Sequence, residues 1–206
     1  MMMLKKTYLA ELVGTFFLTF AVCLTGNPLA IGLILTAMIY IGKNASGAHF
    51  NPAITLAVWF KGKFKKEDLC WYLASQTIGA FLACVLFFVL SHNTYSPHPL
   101  DTIKLWEALL IEALFSFILV SVWLTLDADK TKGGNTDGLI IGLTLTAILF
   151  CAGELTGSTF NPATGVGALL LTLIKTGPSS LMHLVTYLVG PLLGALLATL
   201  FQKKIS

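Results

Sequence analysis

The sequence predicts an all-α membrane protein: six transmembrane helices plus two re-entrant half-helices, arranged as an inverted repeat. Three observations carry this. The chain holds six long apolar stretches. An Asn-Pro-Ala tripeptide occurs twice, each time before an apolar run too short to cross a bilayer. A weak internal duplication relates the two occurrences. Of the 206 residues, 56% are hydrophobic and 11% charged, with a mean hydropathy of +0.83. A soluble domain carries about 25% charged residues, so most of this surface is expected to face lipid.

The apolar stretches are Tyr8–Leu24, Leu29–Ile41, Leu69–Leu90, Leu105–Leu126, Leu139–Ala152 and Leu181–Phe201. Several reach the ~20 residues that a spanning helix needs. Leu29–Ile41 and Leu139–Ala152 read as short, and short segments at matching places of two halves point to a central site. Lys5 and Lys6 before the first stretch resemble the start of a signal peptide. The run is too long for one, contains Glu11 and leads directly into a second span, so it is expected to be the first membrane helix.

Every basic residue is lysine. With both termini cytoplasmic, Lys5, Lys6, Lys43, Lys61, Lys63, Lys65, Lys66, Lys130, Lys132, Lys203 and Lys204 lie inside, and Lys104 and Lys175 outside. That excess sets the orientation expected of a multi-pass protein of the plasma or inner membrane. The net charge of +3 is then a topology signal, with membrane lipid as the partner and no nucleic acid. Cys23, Cys70, Cys84 and Cys151 are scattered without CxxC spacing and read as small buried hydrophobes. No cofactor or metal pattern is present. Neither is a nucleophile–base pair, an HExxH or a carboxylate dyad, which argues against an enzyme.

The duplication fixes the geometry. Ala10–Phe20 (AELVGTFFLTF) resembles Ile111–Ser121 (IEALFSFILVS), and Ile31–Ala37 (IGLILTA) resembles Ile141–Ala147 (IGLTLTA). Gly32 precedes Asn51, and Gly142 precedes Asn161, by the same 19 residues. This divides one channel-like domain, 1–206, into repeat A, 1–100, and repeat B, 101–206. Three crossings separate the two tripeptides, and an odd number makes them enter from opposite faces. As helices, Pro52–Phe60 and Pro162–Leu171 are roughly 13 and 15 Å long, so each reaches about halfway across the ~30 Å core. Asn is a preferred N-cap, and Pro suits the first helical position. Both helices should therefore begin at the bilayer centre, with positive ends of about half a charge converging there. The waist is Asn51, Pro52, Ala53, Asn161, Pro162 and Ala163, with the asparagine NH2 groups donating into a lumen. Irregular backbone at this depth requires a water-filled cavity or a protein environment.

These residues resemble the aquaporins, the major intrinsic protein family. The resemblance rests on Ala10-Glu11-Leu12-Val13-Gly14-Thr15-Phe16, Ser46-Gly47-Ala48-His49-Phe50-Asn51-Pro52-Ala53, Gln76-Thr77-Ile78-Gly79-Ala80, Glu112, and Val189-Gly190-Pro191-Leu192-Leu193-Gly194-Ala195. It implies passive conduction of water or small neutral solutes by a homotetramer with one pore per subunit. It also implies that Glu11 and Glu112 accept hydrogen bonds from the re-entrant loops. A mid-span carboxylate costs ~3 kcal/mol and needs such partners; the alternative role is a proton relay. His49 is expected at the inner pore mouth, and His92, His98 and His183 at the surface or in packing. The GxxxG pairs Gly138/Gly142 and Gly190/Gly194 are expected to allow close helix crossing.

One position departs from the family pattern. Asn-Pro-Ala is usually followed by Arg, and here by Thr164. Counting from the two asparagines places Ile31, Leu149 and Ser158 beside Thr164 in the outer selectivity filter, which matches neither the water nor the glycerol pattern. Thr lacks the fixed charge and five donors of Arg, so the filter should be less discriminating or more tolerant of apolar groups. Glu154 is expected in the outer loop. The loops Asp127–Asp137 and Ser91–Leu100 are gate candidates with ordinary turn composition. Candidate solutes are water, polyols, urea, ammonia, hydrogen peroxide and dissolved gas. The alternative function is a secondary transporter, which also uses inverted repeats and broken helices.

Overall fold

A computed structural model describes residues 5–63, 65–128, 136–157, 159–177 and 181–205. Eight helices occur among them: α1 (Lys6–Thr25), α2 (Pro28–Ser46), α3 (Pro52–Phe60), α4 (Lys66–Ser91), α5 (Leu105–Ala128), α6 (Asp137–Thr156), α7 (Pro162–Thr176) and α8 (Leu181–Ile205). Six are long and apolar enough to cross a membrane; α3 and α7 are shorter. Lys130 and Lys132, and most of the Asp127–Asp137 segment, lie outside the described residues, as does Ser158.

Three boundaries differ from the sequence reading. The segments read as short are full-length helices of 19 and 20 residues. Hydropathy stops at the first polar residue, whereas the α2 backbone continues through Lys43, Asn44 and Ser46, and α6 is helical from Asp137 through Glu154. Glu154 therefore belongs to the last turn of α6 and not to a loop. Helix α7 runs five residues beyond Leu171, to Thr176. Thr172 does not end it, because its hydroxyl donates to the Ala168 carbonyl at 3.0 Å. The cysteine reading also needs correction. Cys23 and Cys84 are buried, with their sulfurs 3.8 Å apart, but Cys70 and Cys151 are exposed.

The packing is symmetric under exchange of the first four helices with the last four. Helix α1 packs on α2 and α4 as α5 packs on α6 and α8. Each short helix lodges against the long helix of the other half, α3 on α8 and α7 on α4. Helices α2 and α6 cross on the symmetry axis, and there the repeated Ile-Gly-Leu glycines meet. A Cβ on Gly32 would collide with the Gly142 carbonyl and Thr146, and one on Gly142 with the Gly32 carbonyl and Thr36. Gly79 and Gly194 do the same for the other crossings, against the Leu12 and Ala113 carbonyls. Gly138 and Gly190 also lie in contact with facing helices. In lipid, where apolar burial drives little association, such close backbone approach is a main source of helix–helix affinity.

One end of the bundle gathers Lys5, Lys43 and Lys63, in ion pairs with Asp68, Asp137 and Asp127. Partly exposed pairs of this kind contribute little stability each. They do show that residues far apart in sequence share one lysine-rich end. Gly142→Ala and Gly32→Ala should each cost about 1–3 kcal/mol through forced separation of α2 and α6. Thermal unfolding in detergent would read this as a lowered midpoint, and an unchanged midpoint would contradict the crossing described.

Candidate functional site

Between α2 and α3, and again between α6 and α7, the chain turns back into the bundle. Gly47, Ala48 and Phe50 in the first loop, and Gly157 and Phe160 in the second, have positive φ. For the non-glycine residues this backbone is strained, so something must hold it. Two buried carboxylates do. Glu11 Oε1 accepts from the Ser46 hydroxyl at 2.6 Å and the His49 N–H at 2.9 Å. Its Oε2 accepts from the Phe50 N–H and from Gln76 Nε2, both at 2.7 Å. Glu112 accepts from the Thr156 hydroxyl at 2.8 Å, the Phe160 N–H at 3.0 Å and the Thr159 hydroxyl at 3.4 Å. The offset of 115 that relates Gly79 to Gly194 and Tyr72 to Tyr187 puts Pro191 at the repeat position of Gln76, so Glu112 has no counterpart of that amide donor among the described residues.

The loops meet at the asparagines. Each Oδ1 caps its own helix, Asn51 to the Ala53 N–H at 2.9 Å and Asn161 to the Ala163 N–H at 3.0 Å. Each Nδ2 donates across to the other loop, Asn51 to the Phe160 carbonyl at 2.9 Å and Asn161 to the Phe50 carbonyl at 2.8 Å. The amide NH2 groups expected to donate into a lumen thus also bridge the halves. One per amide is committed to joining the halves, and a side-chain amide has two.

Asn51 and Asn161 line one narrow cavity together with Ile31, Leu149, Thr164 and His49. Pro52 and Pro162 instead line a separate groove with Leu56, Leu73, Val166 and Leu188. Ala53 and Ala163 are buried in the helix starts. Successive helical residues are about 100° apart, so the tripeptide cannot present all its side chains to one space. Thr164 Oγ1 lies 2.9 Å from Thr19 Oγ1, a hydrogen bond between α7 and α1.

The rest of the wall is apolar and comes from stripes four residues apart: Leu18 and Val22 on α1, Ile31, Leu35 and Ile39 on α2, Leu119 and Trp123 on α5, and Ile141, Leu145 and Leu149 on α6. Such spacing keeps side chains on one helix face. Sequence reasoning named two of these ten. The signal for the others was the repeat offset, since Ile31, Leu35 and Ile39 plus 110 give Ile141, Leu145 and Leu149.

His49 stands where the cavity meets a recess at the lysine-rich end, lined by Lys5, Tyr8, Lys63, Asp68, Tyr72 and Asp127. Its Nδ1 is 3.1 Å from Thr55 Oγ1, and its ring packs against Tyr72 and edge-on against Trp123. At the opposite end a second recess is lined by Val22, Tyr95, His98, Glu154 and Gly157. Glu154, His92 and His98 are exposed, and His183 is half-buried. Among the described residues, no three His, Cys, Asp or Glu side chains cluster as a metal site requires.

Glu112→Ala strands the Phe160 N–H and two hydroxyls. At about 1–3 kcal/mol for each buried unsatisfied donor, it should sharply lower the unfolding temperature, with Glu11→Ala acting in the same direction. A wild-type melting curve for both variants would refute the clamping just described.

Comparison with known proteins places this arrangement. Residues 1–202 match the family model described as major intrinsic protein. The chain is 31% identical to "Aquaporin AqpM" of Methanothermobacter thermautotrophicus, across 100% of this chain and 99% of that protein. It is 35% identical to "Glycerol uptake facilitator protein-like 6" of Lactiplantibacillus plantarum, across 94% of each. It shares the fold of the aquaglyceroporin from Plasmodium falciparum, with a TM-score of 0.88 over 97% of this chain and 96% of that one, at 24% identity. Carrying six membrane-length helices and aligned along nearly its whole length, the chain belongs to the major intrinsic protein family of aquaporins, integral membrane channels rather than enzymes.

Proposed function

We propose that the protein passes water and small uncharged solutes, glycerol-sized polyols included, down their gradients through the cavity between its halves, past a filter without arginine. The single observation that carries this reading is that Asn51, Asn161 and Thr164 share one apolar-walled cavity. The names of the relatives, an aquaporin and a glycerol uptake facilitator-like protein, agree with both solute classes.

In this reading α3 and α7 begin at the waist and direct their positive ends at it. Cations and protons are repelled there, while a neutral solute exchanges hydrogen bonds with the remaining amide N–H groups of Asn51 and Asn161. Glu11 and Glu112 serve as loop supports, and the four and three hydrogen bonds they accept from the loops and Gln76 argue against a proton relay. Ile31, Leu149, Ser158 and Thr164 form the outer filter, with hydroxyls and no fixed charge. Repeats 1–100 and 101–206 act as one domain. The lysine-rich end faces the cytoplasm of a cell membrane, and four copies assemble with one pore each.

Stopped-flow light scattering on proteoliposomes tests the reading. Water and glycerol should both cross faster than in empty vesicles, without saturation and without an ion gradient. Saturable, gradient-driven uptake would overturn the channel in favour of a transporter. Thr164→Arg should lower glycerol permeability about tenfold while retaining water flux and reducing cation leak. Unchanged solute range and leak would refute the role given to Thr164.

A further inference from the structure

The backbone halves are symmetric, but the side chains at the two mouths are not. The offset of 101 residues that relates Glu11 to Glu112 relates Val22 to Trp123. The structure honours that equivalence. Val22 lines the cavity and the recess at one end, and Trp123 lines the cavity and two recesses at the lysine-rich end. Each residue therefore stands at the neck of its own mouth. One neck has a small aliphatic side chain and the other the largest side chain available.

The neighbours follow the same polarity. The offset of 110 pairs Thr159 with His49 and Thr164 with Ile54, and all four line the cavity. Hydroxyls stand at one mouth; at the other, an imidazole meets an indole edge-on with ring centroids 4.9 Å apart. Trp123 is 5% exposed, so the ring is held by packing. Its indole N–H, a donor only, makes no hydrogen bond to another described residue. A flat apolar face with one donor at its edge suits a solute that has CH groups on one side and hydroxyls on the other.

We propose that Trp123, set against His49, is a specificity-determining constriction at the lysine-rich mouth, which sorts small solutes by width and by their ability to accept the indole hydrogen bond. This rests on the channel reading above and adds the location of the selective step: the arginine-less outer filter is permissive, and discrimination takes place at the opposite end.

The test uses the full-length protein in proteoliposomes, measuring water, glycerol and urea permeability for wild type, Trp123→Val and Trp123→Phe. Trp123→Val reproduces the Val22 side chain and should raise the glycerol-to-water ratio about tenfold. Trp123→Phe keeps an aromatic ring against His49, guards against misfolding of the valine variant, and should give a smaller rise because it loses the N–H and part of the width. A wild type no faster than empty vesicles for every solute would sink the channel reading itself, and this proposal with it. A conducting wild type whose glycerol-to-water and urea-to-water ratios survive both substitutions would overturn the proposal alone.

Discussion

Phe50 and Phe160 sit in left-handed backbone at the centre of the molecule, and each peptide is gripped from both sides. The N–H is taken by the carboxylate of its own half, and the carbonyl by the asparagine of the other. Strain of about 1–3 kcal/mol per residue exceeds the roughly 1 kcal/mol of a neutral hydrogen bond. The cross-links between the asparagines and the loop carbonyls would not hold the loops alone. Several bonds acting together do exceed that strain, at roughly 1 kcal/mol each; Glu11 alone accepts four. The carboxylates therefore decide the loop conformation, and the asparagines then align one loop on the other. The buried acids are tolerable in an apolar bundle because their oxygens accept these bonds.

The helix starts depend on that clamp. Once Phe50 and Phe160 are fixed, Asn51 and Asn161 stand back to back, α3 and α7 run away from each other, and the cavity passes beside the seam. The close crossings at Gly32/Gly142, Gly79 and Gly194 hold the surrounding six helices near enough for the short helices to lodge against the opposite half. The symmetric frame does not impose symmetric chemistry. Cavity positions equivalent by repeat carry Val22 and Trp123, Thr159 and His49, Thr164 and Ile54. The two mouths of one symmetric backbone can therefore make different demands on a solute.

Much of the frame was legible because its signals are local or periodic. Apolar length located the spans, though it under-measured α2 and α6, whose ends are polar. The repeated Ile-Gly-Leu marked Gly32 and Gly142, but only the structure shows that these two glycines meet each other. Ile31, Leu149 and Thr164 were reached by counting from the asparagines. Trp123 was not, because in an apolar α5 nothing distinguishes a lining residue from a lipid-facing one. It becomes visible through the repeat offset combined with the recesses it touches. The proline and alanine of each tripeptide were grouped with the asparagine by sequence and separated from it by the helical turn.

Asparagine followed by proline starts three helices here. At Asn27, as at Asn51 and Asn161, the side-chain oxygen accepts from N–H groups two or three residues on, and proline takes the first helical position. The sequence alone determined that, because a cap is made by neighbours in the chain. It also determined that most of the surface faces lipid, through composition. It singled out Asn51 and Asn161 through the repeat, but did not show that these two buried amides, unlike that of the exposed Asn27, join the halves. That was decided by hydrogen bonds between residues 109 and 111 positions apart, which exist only after α2 crosses α6 and the carboxylates of α1 and α5 have drawn the loops inward.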